Sequence, residues 1–210
     1  MIFTKPLHLP AFNPELVHDP VMLRAPTKND HEEWAALREQ SFAHLTRWEE
    51  SWSPQHQTPK AFKRRLQSYA RQQHGGEGLN LFVFRQSDNV MVGGITLSNI
   101  RYGAARSGFL GYWIGAPYIR CGYAKAAVRA VVDHAFQALS LNRVTAACQP
   151  GNIGSQKLLE GSGFAHEGLA RDFLMINGAW CDHEIYALTQ ANHDEQASLG
   201  KTSKILSETA

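Results

Sequence analysis

Cysteine is scarce and scattered in this chain. Cys121, Cys148 and Cys181 form no CxxC spacing, which argues against a disulfide framework and against a zinc site. No apolar run approaches the ~20 residues that a membrane-spanning helix needs. The first twenty residues, MIFTKPLHLPAFNPELVHDP, lack the continuous apolar stretch of a signal peptide, so a cytoplasmic protein is expected. Charge of one sign is lacking too: the net charge is +2, too small to argue for nucleic-acid binding by electrostatics alone. No Gly-Lys-Ser/Thr follows a glycine-rich loop, and the glycines are not spaced as G-x-G-x-x-G, which excludes a P-loop and a dinucleotide fingerprint. The histidines fall in no metal-ligand spacing, so no metal is expected. No internal repeat or linker divides the chain.

What is present is the balance of a folded protein, 43% hydrophobic and 19% charged over 210 residues, enough for one domain with a full core. Residues 1–20 hold four prolines and little periodicity and read as an arm lying over the domain. Val21–Pro26 reads as a first strand. A helix capped by Asn29 or Asp30 follows, its apolar face running from Trp34 to Trp48. A loop, Glu49 to Pro54, carries two carboxylates and lies beside Trp48 and Trp52. From Thr58 a second helix carries Lys60, Lys63, Arg64, Arg65 and Arg71, most simply a solvated face. Strands are expected at 79–85, 90–100, 106–114 and 143–149, with two more paired around the turn Asn177-Gly178. The domain is expected over 21–189, followed by a polar, loosely ordered tail over 190–210. The fold class is α/β (α+β), one domain with a mixed central sheet of about seven strands flanked by helices.

The most informative stretch runs from Leu110 to Leu139. A glycine-bounded apolar strand, Leu110-Gly111-Tyr112-Trp113-Ile114-Gly115, feeds a short loop and then a long amphipathic helix. Ala124, Ala127, Val128, Val131, Val132, Ala135 and Phe136 recur on that helix at three- and four-residue steps. A helix N-terminus presents N–H groups without intrahelical partners, and the helix dipole adds positive potential there. Gly122 lets backbone approach a ligand, and Arg120 adds a mobile charge, so the unit suits a phosphate or diphosphate. The plainer reading is a glycine turn joining two core elements. A second constellation, Asn152-x-x-Ser155-x-x-Leu158 ending in Gly163-Phe164, places Asn152 and Ser155 on one face at a helix start. Asn152 there could be an ordinary cap.

Ile119-Arg120-Cys121-Gly122-Tyr123-Ala124 resembles the acetyl-CoA loop of the GCN5-related N-acetyltransferases, Gln/Arg-x-x-Gly-x-Gly/Ala. Gly122 and Ala124 match, while Ile119 stands where Gln or Arg is usual. The Asn152–Phe164 segment resembles the second cofactor segment of the same superfamily. Further segments, Leu45–Glu49, Leu97–Ile100, Leu110–Gly115 and Glu167 through Gly178, narrow the likeness to its ribosomal-protein (Rim) branch. The resemblance implies acetyl-CoA as co-substrate and an N-terminal α-amine of a ribosomal protein as acceptor. It also implies that Asn152 contacts the pantetheine arm and that Ser155 protonates the leaving thiolate. Trp113 and Ile114 would offer backbone groups to the thioester, and Arg120, Cys121, Gly122, Tyr123 and Ala124 would hold the diphosphate. Leu174 occupies the place of a glutamate base found in some Rim enzymes, so Glu49, Glu50 and Asp172 are the carboxylates left to consider. Asp172 shares that face only if its strand is regular. Two other readings stand beside this one: the same chemistry on a small amine such as an antibiotic or polyamine, and a non-catalytic CoA-binding module associated with the ribosome. The basic helix could support ribosome contact. Either a monomer or a homodimer is compatible with the sequence.

Overall fold

The computed structural model describes residues 14–53, 55–195 and 198. Among them the chain forms one sheet of eight strands in the order β1-β2-β3-β4-β5-β6-β8-β7. These are β1 Leu16–His18, β2 Val21–Arg24, β3 Leu79–Arg85, β4 Met91–Arg101, β5 Ser107–Ile114, β6 Arg143–Cys148, β7 Ala165–Ile176 and β8 Ala179–Thr189. Helices α1 His31–Gln40, α2 Phe42–Leu45, α3 Pro59–His74, α4 Tyr123–Gln137 and α5 Ile153–Glu160 flank it. All neighbours pair antiparallel except β5 and β6, which are parallel and joined through α4. The mixed sheet is as expected, with one strand more. The additional strand, β1, lies inside the segment read as an arm; three residues are too short for an alternation to be seen.

Two cores form on the two faces. Leu79, Leu81 and Val83 of β3 point to the side covered by α4, packing with Ala127, Val128, Val131, Ala135 and Phe136. Phe82 and Phe84, the alternate residues, point to the other side and pack with Trp34 and Leu37 of α1 and Phe62 of α3. A strand buried on both faces needs no polar alternation, which is why β3 reads as a continuous apolar run. The alanines along α4 let that helix approach closely, and each fully buried Val or Phe contributes about 1.5–3 kcal/mol.

The helix expected from Asp30 to Trp48 is broken at Ser41. That side chain is fully buried, and its hydroxyl accepts the Ala116 N–H (2.9 Å), tying the end of α1 to the segment after β5. The same junction is tight at Gly115, where a Cβ would stand 2.3 Å from Leu37 Cδ1. Residues 190–195 of the expected tail are helical, and His193 reaches Asp133 of α4 at 2.7 Å; the rest of the tail, apart from residue 198, lies outside the described residues. No helix among the described residues is long and apolar enough to cross a membrane.

Asp30 closes the entry to α1. Its buried carboxylate accepts two hydrogen bonds from Arg24 (2.9 and 2.7 Å) and one each from the Thr27 N–H (2.6 Å) and hydroxyl (3.0 Å). Burial alone raises the Asp30 carboxyl, but the Arg24 and Thr27 donors outweigh it and hold the group below its ordinary value. A carboxylate held low in the folded state stabilises the fold above its unfolded value, about pH 4, and that contribution is lost as pH falls through the folded value. Asp30→Asn is therefore expected to cost about 2–3 kcal/mol at pH 7, the low end for breaking a buried pair because Arg24 is partly exposed. Urea unfolding at pH 7 and pH 3 checks this: the gap between the two proteins should narrow at the lower pH.

Candidate functional site

The site is set by where the sheet comes apart. β5 and β6 pair from Ser107↔Arg143 to Leu110↔Ala146, and there the ladder ends. β5 continues to Ile114 alongside β4 only, and β6 continues to Cys148 alongside β8 only. The backbone edges of Gly111–Ile114 and Ala147–Cys148 that face each other are thus released from pairing. In an open α/β sheet a crevice at the carboxyl ends of parallel strands, beside helix N-termini, is where ligands bind.

Both helix N-termini lie at that end. Gly122, before α4, adopts φ +83°, and a Cβ there would meet nothing within 4 Å. Arg120 is also left-handed, at φ +61°. No side chain caps α4, and its first paired amide is Ala126, bonded to the Gly122 carbonyl. The earlier amides, those of Tyr123 and Ala124 among them, are open to an anion. Arg120, Cys121 and Gly122 are exposed, as access by a diphosphate requires, and Tyr123 and Ala124 are half-buried. Gly122 and Ala124 therefore sit as a backbone cradle, and the residues present fit a nucleotide diphosphate.

At the second helix start, Asn152 caps α5: its side-chain oxygen accepts the Ser155 N–H at 3.1 Å. This is the ordinary capping role, and it leaves the side-chain N–H₂ available to a ligand. Ser155 then turns its hydroxyl toward β5, where it meets the Tyr112 hydroxyl at 2.7 Å. Burial pushes the Tyr112 phenol well above its usual range. The thiol of Cys148, at the end of β6 and also within reach of Ser155, is likewise pushed up by burial. The split is thus lined by a hydroxyl, a phenol and a thiol that all keep their protons at neutral pH. Trp113 and Ile114 are half-buried on the freed edge of β5.

The other wall comes from residues 46–52. Arg38 of α1 is buried, with its guanidinium over the rings of Trp52 (4.1 Å) and Trp113 (4.9 Å). It makes a two-pronged ion pair with Glu49 (2.9 and 2.5 Å), whose Oε2 also accepts the Trp52 Nε1–H (2.9 Å). Trp52 in turn stacks on His56 (5.1 Å, 13° between planes). Burial, then the charges of Arg65 and Arg38, push the His56 imidazole down to about 4, so it is neutral at pH 7. The segment is fastened across the split as well: Asn177 Nδ2 donates to the Thr46 carbonyl (2.6 Å) and Gln149 Nε2 to the Arg47 carbonyl (3.3 Å).

The three carboxylates fare differently. Both Glu49 oxygens are engaged by three donors, so Glu49 holds the wall together. Glu50 is exposed, with no ion pair among the described residues. The regular strand on which Asp172 depended is absent: β7 shifts register between Ala170 and Leu174, Asp172 takes φ +47°, and its N–H donates to Asp182 Oδ1 (3.0 Å). A bulge breaks the alternation that would have set Asp172 on the face of Leu174. Trp52 belongs to the Arg38 cluster, and Trp48 is half-buried, its ring edge 3.9 Å from where a Gly151 Cβ would stand. Lys60, Lys63, Arg64 and Arg71 of α3 are exposed, whereas Arg65 lies over the Trp34 ring (5.2 Å). Two residues with clear places in the site receive no role from the sequence alone: Tyr112, which lies within the Leu110–Gly115 segment, and Arg38. Tyr112 announces itself only as a polar tip on an apolar strand. No metal-binding cluster of His, Cys, Asp or Glu occurs among the described residues.

Residues 21–165 match the family model described as an acetyltransferase (GNAT) domain. Over 139 residues the chain is 36% identical to a probable N-acetyltransferase, YjcK, of Bacillus subtilis, covering 66% of this chain and 76% of that protein. Over 145 residues it is 30% identical to the [ribosomal protein uS5]-alanine N-acetyltransferase of Escherichia coli, covering 69% of this chain and 75% of that protein. Among solved structures, Mycobacterium smegmatis RimJ in complex with CoA-disulfide superposes with a TM-score of 0.80 at 27% identity, over 90% of this chain and 94% of that one.

Removing the charge of Glu49 leaves the Arg38 guanidinium without its anion. Glu49→Gln is expected to destabilise the protein by about 2–3 kcal/mol in urea. It should also speed trypsin cleavage after exposed Arg47; unchanged protection there would mean that Glu49 does not hold the segment.

Proposed function

The chain belongs to the GNAT acetyltransferase family and is an acetyl-CoA-dependent N-acetyltransferase of the Rim type; from that premise we propose that its acceptor is the N-terminal α-amine of a ribosomal protein. The observation that carries the acceptor is the 30% identity with the uS5-alanine enzyme over three quarters of that protein's length. A cytoplasmic setting, and contact of the exposed basic residues of α3 with the ribosome, go with that acceptor. Membership in a family of acetyltransferases favours turnover over a non-catalytic CoA-binding module.

In this reading the open amides of Tyr123 and Ala124, with Gly122, Cys121 and Arg120, take the diphosphate of CoA. The freed edge of β5 at Trp113 and Ile114 takes the pantetheine and the thioester carbonyl, whose oxygen gains charge as the reaction proceeds. The side-chain N–H₂ of Asn152 is available to the pantetheine arm. The neutral amine nitrogen attacks the thioester carbon; a C–N bond forms and the C–S bond breaks. Ser155 gives its hydroxyl proton to the departing sulfur and is restored, through solvent, by the proton that the amine loses. A protein α-amine has a pKa of about 7.7–8, so roughly a tenth of it is already neutral at pH 7 and a weak base acting through water suffices. Glu50 is the carboxylate free to act so; Glu49 is held by three donors from Arg38 and Trp52, and the bulge in β7 takes Asp172 off the face of Leu174. Holding amine and thioester together supplies the larger share of the acceleration, up to about 7–11 kcal/mol in well-oriented systems.

One observation favours a smaller acceptor: the Asn177–Thr46 hydrogen bond bridges the wall and the last hairpin, which narrows the approach. A small amine is the second reading for that reason. Incubation with acetyl-CoA and a panel of N-terminal peptides beside free amines, followed by CoA release and product mass, separates the two. Acetylation at a peptide α-amine is expected, and acetylation of small amines alone overturns the ribosomal-protein reading. Ser155→Ala is expected to lower kcat about 10²-fold; an unchanged rate across pH would remove Ser155 from the chemistry.

A further inference from the structure

We propose that Tyr112 is a positioning residue for Ser155: the phenol donates its hydrogen bond to Ser155 Oγ and so turns the serine's own proton toward the sulfur of CoA. The inference rests on the role given to Ser155 above. The two hydroxyls stand 2.7 Å apart although 43 residues separate them, one on β5 and the other on α5. On β5, side chains alternate, and Tyr112 shares the face of Leu110, which is buried beneath α4. Leu110 is the last residue of β5 paired with β6, so Tyr112 is the first side chain on that face beyond the point where the strands part. It therefore spans the split that the thioester would occupy, passing the end of β6 to reach the next helix.

The direction of the bond follows from the count of protons. A serine hydroxyl has one hydrogen and two acceptor sites, and a phenol has one hydrogen. If Ser155 gave its hydrogen to Tyr112 it would have none for a leaving thiolate. With Tyr112 as donor, Ser155 keeps its hydrogen, and the arrangement needs no proton to leave the phenol. Burial disfavours the phenolate, so Tyr112 keeps the proton that it would donate. The backbone of Ser155 is already fixed, because its N–H is held by Asn152. Two rotations are then left, about Cα–Cβ and about Cβ–Oγ, and a hydrogen bond accepted from Tyr112 constrains both. The groups facing Tyr112, Ser155, Cys148 and Tyr186, carry no charge that would compete for the hydroxyl.

Tyr112→Phe removes the donor and keeps the ring. Losing one such hydrogen bond is expected to lower kcat about 3- to 10-fold, with KM for acetyl-CoA changed less than about twofold. The decisive comparison is the double variant. If Tyr112 acts through Ser155, Tyr112→Phe adds nothing in the Ser155→Ala background. Equal losses in both backgrounds, a change confined to KM, or an unchanged kcat in Tyr112→Phe would each overturn the proposal. Wild-type protein that releases no CoA with any amine would overturn the functional reading itself; active wild type with additive losses overturns the role of Tyr112 alone. A crystal of the unmodified protein with CoA gives an answer that needs no variant. Ser155 Oγ should lie within about 3.5 Å of both the Tyr112 hydroxyl and the sulfur, and a serine turned away from Tyr112 overturns the proposal.

Discussion

The pairing of β5 with β6 stops after four residues on each strand, and the chemistry of this molecule follows from that stop. A parallel pair needs a crossover, here α4, and the crossover returns the chain so that both strands end on the same side of the sheet. Each then feeds a helix there, which brings two sets of unpaired amides to one mouth. Because β4 and β8 complete the outer edges of the two strands, the inner edges can part without loss of the sheet. Strand backbone left unpaired inside a protein is costly unless something else bonds to it. A ligand with alternating amides and carbonyls is the natural complement.

The opposite wall solves a different problem. A buried guanidinium costs several kcal/mol unless its hydrogen bonds and charge are met. The charge of Arg38 is met by a carboxylate at its two terminal nitrogens and by indole faces from residues far apart in the chain, Trp52 and Trp113, while its buried Nε has no hydrogen-bond partner among the described residues. One of those indoles belongs to the segment after α2, and the other to the strand that borders the split. The charge therefore couples the segment to the sheet more firmly than an apolar contact of the same size would, since displacing Trp52 also uncovers Arg38 and Glu49.

Much of the fold could be read from local pattern. The limits of β3 and α3 fall where the apolar run from Leu79, the Thr58-Pro59 start and the glycines at 75 and 76 put them. The left-handed turn at Gly122 ahead of α4 was legible because it is local: one glycine, one loop and one helix. What escaped reading is non-local or irregular. The break at Ser41 depends on the Ala116 amide 75 residues away. The partnership of Tyr112 with Ser155 and that of Arg38 with two tryptophans depend on the sheet having already formed. Glu49 was legible as a carboxylate in a loop, but its partner was not, so a wall-holding ion pair looked like a free base. Asp172 failed for a simpler reason: period-two reasoning assumes a regular strand, and β7 has a bulge at that residue.

The three thiols differ in a way that has a practical use. Cys148 is buried and Cys181 half-covered, while Cys121 is exposed on the left-handed turn between Arg120 and Gly122. A thiol-reactive fluorophore under mild conditions would therefore attach first at Cys121, two residues before the amide of Tyr123 that opens α4. The fold thus carries its own attachment point for an optical reporter at the start of α4, with no engineered cysteine required.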